Sequence, residues 1–169
     1  MKLNLRWNGG NAFLLIVFLF ILNNRLIAQI SNLKYETYVG TYTALGSSKT
    51  QLIAGGSAFT AAATANIGFN FNFQGKDYTT FGAGATGSIA LGAAPSNTSA
   101  NDIALATAAP KLMPFWDYFT VGTVASGGGV FYELSGSAPN RVLTVQFNLV
   151  NTSTSSATNL NFQVKLYET

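Results

Sequence analysis

An all-β fold, an antiparallel two-sheet β-sandwich behind a cleavable signal peptide, is what this sequence predicts, and three observations carry the prediction. Beyond residue 28, helical periodicity is hard to find, whereas apolar and polar residues alternate in one segment after another. Those segments are rich in Phe, Tyr, Val and Thr, which suit a pleated surface buried on one side, and Gly, Ser and Asn separate them. Cysteine is absent, so an exported chain of this kind has no disulfide scaffold and relies on hydrophobic burial.

The leader comes first. Lys2 and Arg6 precede the apolar run Ala12 to Leu22, too short to cross a bilayer comfortably but suited to a secretory core segment. Asn23, Asn24 and Arg25 follow, and Ala28 offers the small residue that a signal peptidase needs before Gln29. Residues 1–28 therefore read as the signal peptide and residues 29–169 as one β-sandwich domain, which is within the usual domain size. An uncleaved membrane anchor is the competing reading, because Leu26 is bulky and Arg25 lies close to the cut.

The first strand is expected at Tyr35 to Tyr42, with Tyr35, Thr37, Val39 and Thr41 on one face and Glu36, Tyr38 and Tyr42 on the other. Gly46-Ser47-Ser48 and then Gly55-Gly56 to Ala65 read as an irregular excursion of small residues. The clearest strand is Ile67 to Phe73, where Ile67, Phe69, Phe71 and Phe73 share a face opposite Asn70 and Asn72. Gln74 to Asp77 then forms a hairpin connection of the longer kind, and Tyr78 to Phe81 begins the return. Gly82, Gly84 and Gly87 punctuate the chain before Ile89 and Leu91 resume the alternation.

Residues 95–101 read as a loop. Asp102 to Ala109 has moderate helical content that Pro110 ends. Pro114-Phe115-Trp116-Asp117-Tyr118-Phe119 is the densest aromatic cluster. Three strands close the sequence at Val130–Leu134, Val142–Val150 and Leu160–Tyr167. Leu143, Val145, Phe147 and Leu149 should face the core, as should Leu160, Phe162, Val164 and Leu166. Two stacked sheets bury such faces best. A small outer-membrane barrel competes, but it wants evenly spaced strands, and the small-residue segments break that spacing.

The formal charge of +3 is carried by the leader. Without Lys2, Arg6 and Arg25, scattered Lys34, Lys49, Lys76, Lys111, Arg141 and Lys165 balance Glu36, Asp77, Asp102, Asp117, Glu133 and Glu168. No convergent basic patch exists to displace counterions from a phosphate backbone, so nucleic acid is not an expected partner. Histidine is absent as well as cysteine, which removes imidazole and thiolate metal sites and the Ser-His and Cys-His nucleophilic pairs. Two-carboxylate glycoside hydrolysis and oxygen-ligated calcium survive this exclusion.

Taken in order, Ile67 to Tyr78, then Thr86-Gly87-Ser88-Ile89-Ala90-Leu91-Gly92, then Pro114 to Asp117, resemble the amino-terminal β-domain of exported Gram-negative surface proteins. Those proteins often use type IX secretion, and the arrangement looks like a distant relative of the nidogen-like extracellular domain. Residues 138–147 and 161–168 are similar to the same group. The resemblance implies an extracellular interaction module and brings no catalytic residues. Thr86 stands where the pattern tends to carry Asn, and Tyr118 where a second acidic residue often follows. In the similar proteins a further strand follows the segment matching Phe162 to Glu168, so a truncated carboxy-terminal end is expected here, with an unpaired sheet edge.

Candidate contact residues are Phe115, Trp116, Asp117 and Tyr118, either as an aromatic platform for a sugar ring or as a corner of the core. Asp117 is expected to hydrogen-bond nearby backbone amides. Its alternatives are a calcium ligand with Asp102 or Asp77, or a glycosidase pair with Glu133, although no closely spaced acidic loop supports the first. Asn97 and Asn151 head glycosylation sequons that a bacterial-looking chain matches by chance. The expectation is thus a secreted or cell-surface, non-catalytic interaction or adhesion module without a cofactor. Its partner is an extracellular protein or glycan, met by the loops at 95–101, 120–129 and 151–159. It touches a membrane only through its leader during export. A carbohydrate-binding or carbohydrate-active domain and a self-assembling surface protein are the alternatives.

Overall fold

The computed structural model describes residues 35–95, 109–124, 127–152 and 155–168. The leader, the expected loop at 95–101 apart from Pro95, the stretch of expected helical content at 102–109 apart from Ala109, and Asn97 lie outside them. Among the described residues, no helix is long and apolar enough to cross a membrane. Residues 35–39 belong to a first unit, Met1–Val39, and none of them lies in a helix or strand. All the strands belong to the second unit, Gly40–Thr169.

Among the described residues nine strands follow in order: β1 (Thr50–Ala54), β2 (Ala62–Phe73), β3 (Lys76–Gly84), β4 (Ile89–Leu91), β5 (Lys111–Leu112), β6 (Phe119–Val121), β7 (Gly129–Ser135), β8 (Val142–Thr152) and β9 (Ser155–Tyr167). They form a five-stranded and a four-stranded antiparallel sheet, the sandwich that the alternation predicts. The second sheet has the order β2-β3-β4-β5. In the first, β1 pairs β7, and β8 is flanked by β9 along one edge and by β7 and then β6 along the other.

The core lies between the sheets. From β2 to β4 it takes Ile67, Phe69, Phe81, Ile89 and Leu91, and from β7 to β9 it takes Val130, Leu143, Val145, Phe147 and Leu166. Phe71, Phe73, Leu160, Phe162 and Val164 are only partly buried, because they lie toward strand ends and sheet edges where the opposite layer thins.

Several expectations fail. The loop expected at 151–159 is strand wherever it is described, closing β8 at Thr152 and opening β9 at Ser155. Tyr35 to Tyr42 is not a strand; the first strand is β1, between the two small-residue pieces, and β2 already starts at Ala62, inside the piece that reads as irregular. β1 buries Ile53 and packs Leu52 partly against the core, and β7 supplies the ladder. The hairpin after Phe73 is short and not long. Gln74 and Gly75 both have positive φ, at 53° and 78°, and Phe73 pairs directly with Lys76, which makes a two-residue turn with the twist of its strands. Asn72 supports it by accepting from the Gly75 amide at 3.2 Å and donating to Asp77 at 2.7 Å.

β2 carries a bulge. Its register with β3 moves from Asn66↔Thr80 to Phe71↔Tyr78, so five steps along β2 oppose two along β3, with Gly68 at φ 92° inside the irregularity. The freed Gly68 carbonyl accepts from Arg141 Nη1 at 2.7 Å.

The chain ahead of β1 straps the outer face of the first sheet. The Thr43 carbonyl accepts from Gln163 on β9 at 2.8 Å, the Leu45 amide donates to Gln146 Oε1 on β8 at 2.7 Å, and the Ser48 hydroxyl donates to Glu133 on β7. Lys49 then stands 5.3 Å from the centre of the Phe131 ring. Gln146 belongs to the face that alternation leaves wet, yet the strap reduces its exposure to 2 %. It is satisfied there, since Gln163 Nε2 also donates to its Oε1 at 2.8 Å.

Candidate functional site

The aromatic cluster forms the crossing between the two sheets. β5 ends the second sheet at Leu112, β6 enters the first at Phe119, and Met113 to Tyr118 bridge the layers. The bridge packs on the β3–β4 turn, where the Asp117 amide donates to the Thr86 carbonyl at 3.2 Å. Gly87 has φ 81°, and a Cβ there would lie 2.0 Å from the Phe115 carbonyl oxygen, so only glycine admits this approach. Thr86 and Ser88, both buried, face each other with hydroxyl oxygens 3.2 Å apart.

Within this corner the four candidate residues do different things. Phe115 is 46 % exposed and stacks on buried Phe119 with ring centres 5.2 Å apart. It also approaches Phe162, which stacks on Phe147 at 4.5 Å, so an exposed ring continues an aromatic row into the core. Trp116 is half-buried, and its buried indole nitrogen has no acceptor among the described residues. Asp117 is exposed and accepts from the Tyr118 amide at 2.7 Å, while its carbonyl accepts from the Phe119 amide at 3.0 Å. Tyr118 turns the other way and packs against Phe59 at 4.3 Å. The corner offers one accessible ring, Phe115, beside one accessible carboxylate, Asp117.

The acidic residues weighed with Asp117 have separate engagements. Glu133 accepts from Ser48 on the outer face of β7, and Asp77 accepts from Asn72 beside the first hairpin. Asp102 lies outside the described residues. Among the described residues no group of three acidic side chains gathers to hold a cation.

A match over most of the sequence agrees with this architecture: residues 32–169 fit a family model described as NIDO related. The chain belongs to the nidogen-related family. No curated protein and no solved structure matches it.

Two features of this nidogen-related domain escape sequence reasoning. The first is an apolar groove of about 410 Å³, walled by Leu112, Met113 and Pro114 on one side and by Gln163 and Val164 on the other. It opens where the edge strands β5 and β9 of the two sheets face each other. The second is the clasp of Arg141 with Glu168. The guanidinium bonds both carboxylate oxygens, with Nε to Oε2 at 2.8 Å, and lies 5.7 Å from the centre of the Phe69 ring. The hydrogen-bonded guanidinium holds the Glu168 carboxyl below its ordinary value of 4.5, and Arg141 is correspondingly raised. Sequence offered only an isolated Arg and an isolated Glu, with no spacing to link them.

Proposed function

We propose that this nidogen-related domain is a non-catalytic contact module displayed at the cell surface or released from it. The observation that carries the reading is the family match across residues 32–169. The absence of His and Cys supports it by removing most catalytic constellations. Export rests on the leader read in residues 1–28, and the type IX route on the resemblance of the β-domain. The partner is an extracellular protein or a glycan, and the contact centres on the β5–β6 corner, where Phe115 presents an aromatic face next to the Asp117 carboxylate.

The test is binding of the purified protein to a glycan array and to surface fractions of the producing cells, beside Phe115→Ala. The expected outcome is saturable binding that falls about ten-fold or more in the variant, the size typical of a lost aromatic anchor. Binding indifferent to Phe115→Ala would move the contact away from this corner, and no saturable binding to either would remove the reading. The carbohydrate-active alternative predicts sugar release that Asp117→Asn or Glu133→Gln abolishes.

A further inference from the structure

A closed circuit of hydrogen bonds fastens the strap to β8 and β9. Gln163 Nε2 has two hydrogens, and it donates to the Thr43 carbonyl and to Gln146 Oε1, each at 2.8 Å. Gln146 Oε1 in turn accepts from the Leu45 amide at 2.7 Å. Thr43 and Leu45 are near neighbours on the strap, and Gln146 and Gln163 face each other in the β8–β9 ladder, so the circuit closes. Each of its four groups holds the next in place, and losing one loosens the others.

Gln163 stands beside the part of β9 that supports the contact corner. Its neighbour Phe162 turns to the opposite face of the strand, where it stacks on Phe147 with ring centres 4.5 Å apart and meets the Phe115 ring at 6.2 Å. Phe147↔Phe162 is also the last pair of the regular ladder on this side, because the next pair, Val150↔Leu160, sets three steps of β8 against two of β9. Among the described residues β9 pairs with β8 alone. The ladder therefore grips Phe162 from one direction only, and the circuit at Gln163 adds a second hold where the register breaks.

We propose that the strap is a latch on the contact corner. Closed on Gln146 and Gln163, it holds Phe162 against Phe147 and so fixes the Phe115 ring as a platform. Lifted, it frees β9 around Phe162 and the platform with it. Gln163 is the positioning residue, acting on the corner through Phe162. Two sites that bias one equilibrium are coupled in both directions, so whatever keeps Phe115 in place also keeps the strap closed. That the latch governs binding rests on the contact-module reading, whereas the coupling itself does not.

The experiment needs no ligand. Beyond the leader, Trp116 is the one tryptophan, and it follows Phe115 directly, so its fluorescence reports on the corner. Amide exchange over residues 43–49 and acrylamide quenching of Trp116 are measured in the processed protein and in its variants. Leu45→Pro removes the strap's donor outside any strand and leaves every β9 side chain unchanged. Gln163→Met keeps the length of the side chain and removes its N–H groups. Each should speed exchange over the strap about ten-fold or more and raise Trp116 quenching, while β2, β7 and β8 keep their protection. The two substitutions together should do little more than either alone, since both open one circuit.

In the reverse direction, Phe115→Ala should speed exchange at Leu45 about five-fold or more. Lys165→Ala, at an exposed β9 position outside the circuit, should change neither reading. A strap opened by Leu45→Pro with Trp116 quenching unchanged, exchange at Leu45 indifferent to Phe115→Ala, or a Lys165→Ala effect as large as that of Gln163→Met would each overturn the latch. Coupling that passes these tests in a protein that binds neither glycan nor surface fraction supports the latch and removes the contact-module reading alone.

Discussion

Arg141 and Glu168 extend the β8–β9 ladder one pair beyond Val142↔Tyr167 and tie it to the other sheet. The Glu168 amide donates to the Arg141 carbonyl at 3.0 Å, the Arg141 amide donates to Glu168 Oε2 at 3.1 Å, and the guanidinium reaches across to the Gly68 carbonyl on β2. One side chain thus closes a strand end, fills a bulge carbonyl and covers Phe69. Arg141→Lys should therefore lower stability nearly as much as Arg141→Ala, since an ammonium cannot reproduce the planar fork on Glu168 and Gly68 together. Denaturant midpoints of the two variants check this, and full rescue by Lys would reduce the clasp to simple charge attraction.

The same clasp sets an acid limit. Glu168 has a folded pKa below its ordinary 4.5, so its contribution to stability is fully present above that value and is lost as pH falls through the lower folded value. The stability difference between the protein and Glu168→Gln should be constant from pH 7 to about 5, then shrink as the medium acidifies below about 4. Urea unfolding at a series of pH values measures it. A difference that grows on acidification would reverse the assigned sign.

Gly87→Ala tests the corner. It combines a left-handed backbone with a contact of 2.0 Å to the Phe115 carbonyl, so it should cost about 2–4 kcal/mol. It should also change the near-ultraviolet signal of the Trp116 and Tyr118 region. A thermally neutral Gly87→Ala would mean that the β3–β4 turn does not hold the crossing loop.

Gln146→Leu tests the strap. The substitution keeps the volume but removes the acceptor for the Leu45 amide and Gln163 Nε2, at a cost of about 1–3 kcal/mol. Amide exchange at Leu45 and protease sensitivity between Gly40 and Lys49 should rise while the core strands keep their protection. Unchanged exchange at Leu45 would show that other contacts hold the segment down.

The sandwich itself was legible in the sequence because its strongest strands advertise themselves by alternation. Ile67 and Phe69 on β2, and Leu143, Val145 and Phe147 on β8, enter the core as that pattern requires. Tyr35 to Tyr42 misled, since alternation and aromatic content state only a capacity for pairing, and pairing needs a partner edge. β1 went unseen for the opposite reason: a strand at an edge with one core side chain, Ile53, carries almost no pattern of its own. Of the candidate site, Asp117 bonding a neighbouring amide was readable from residue type, whereas the exposure of Phe115 was not.

The sequence by itself determined the all-β class, the main core faces, the family pattern from Ile67 to Asp117 and the chemistries that a chain without His and Cys cannot perform. Those are properties of local periodicity and residue type. Tertiary structure alone decided that Gln146 is buried under a strap, that Arg141 finds Glu168 and the Gly68 carbonyl, and that β5 and β9 open a groove between them. These arrangements join residues up to 120 positions apart, as between Thr43 and Gln163, and depend on register and on the layer above. Neither is written in the spacing of any one segment.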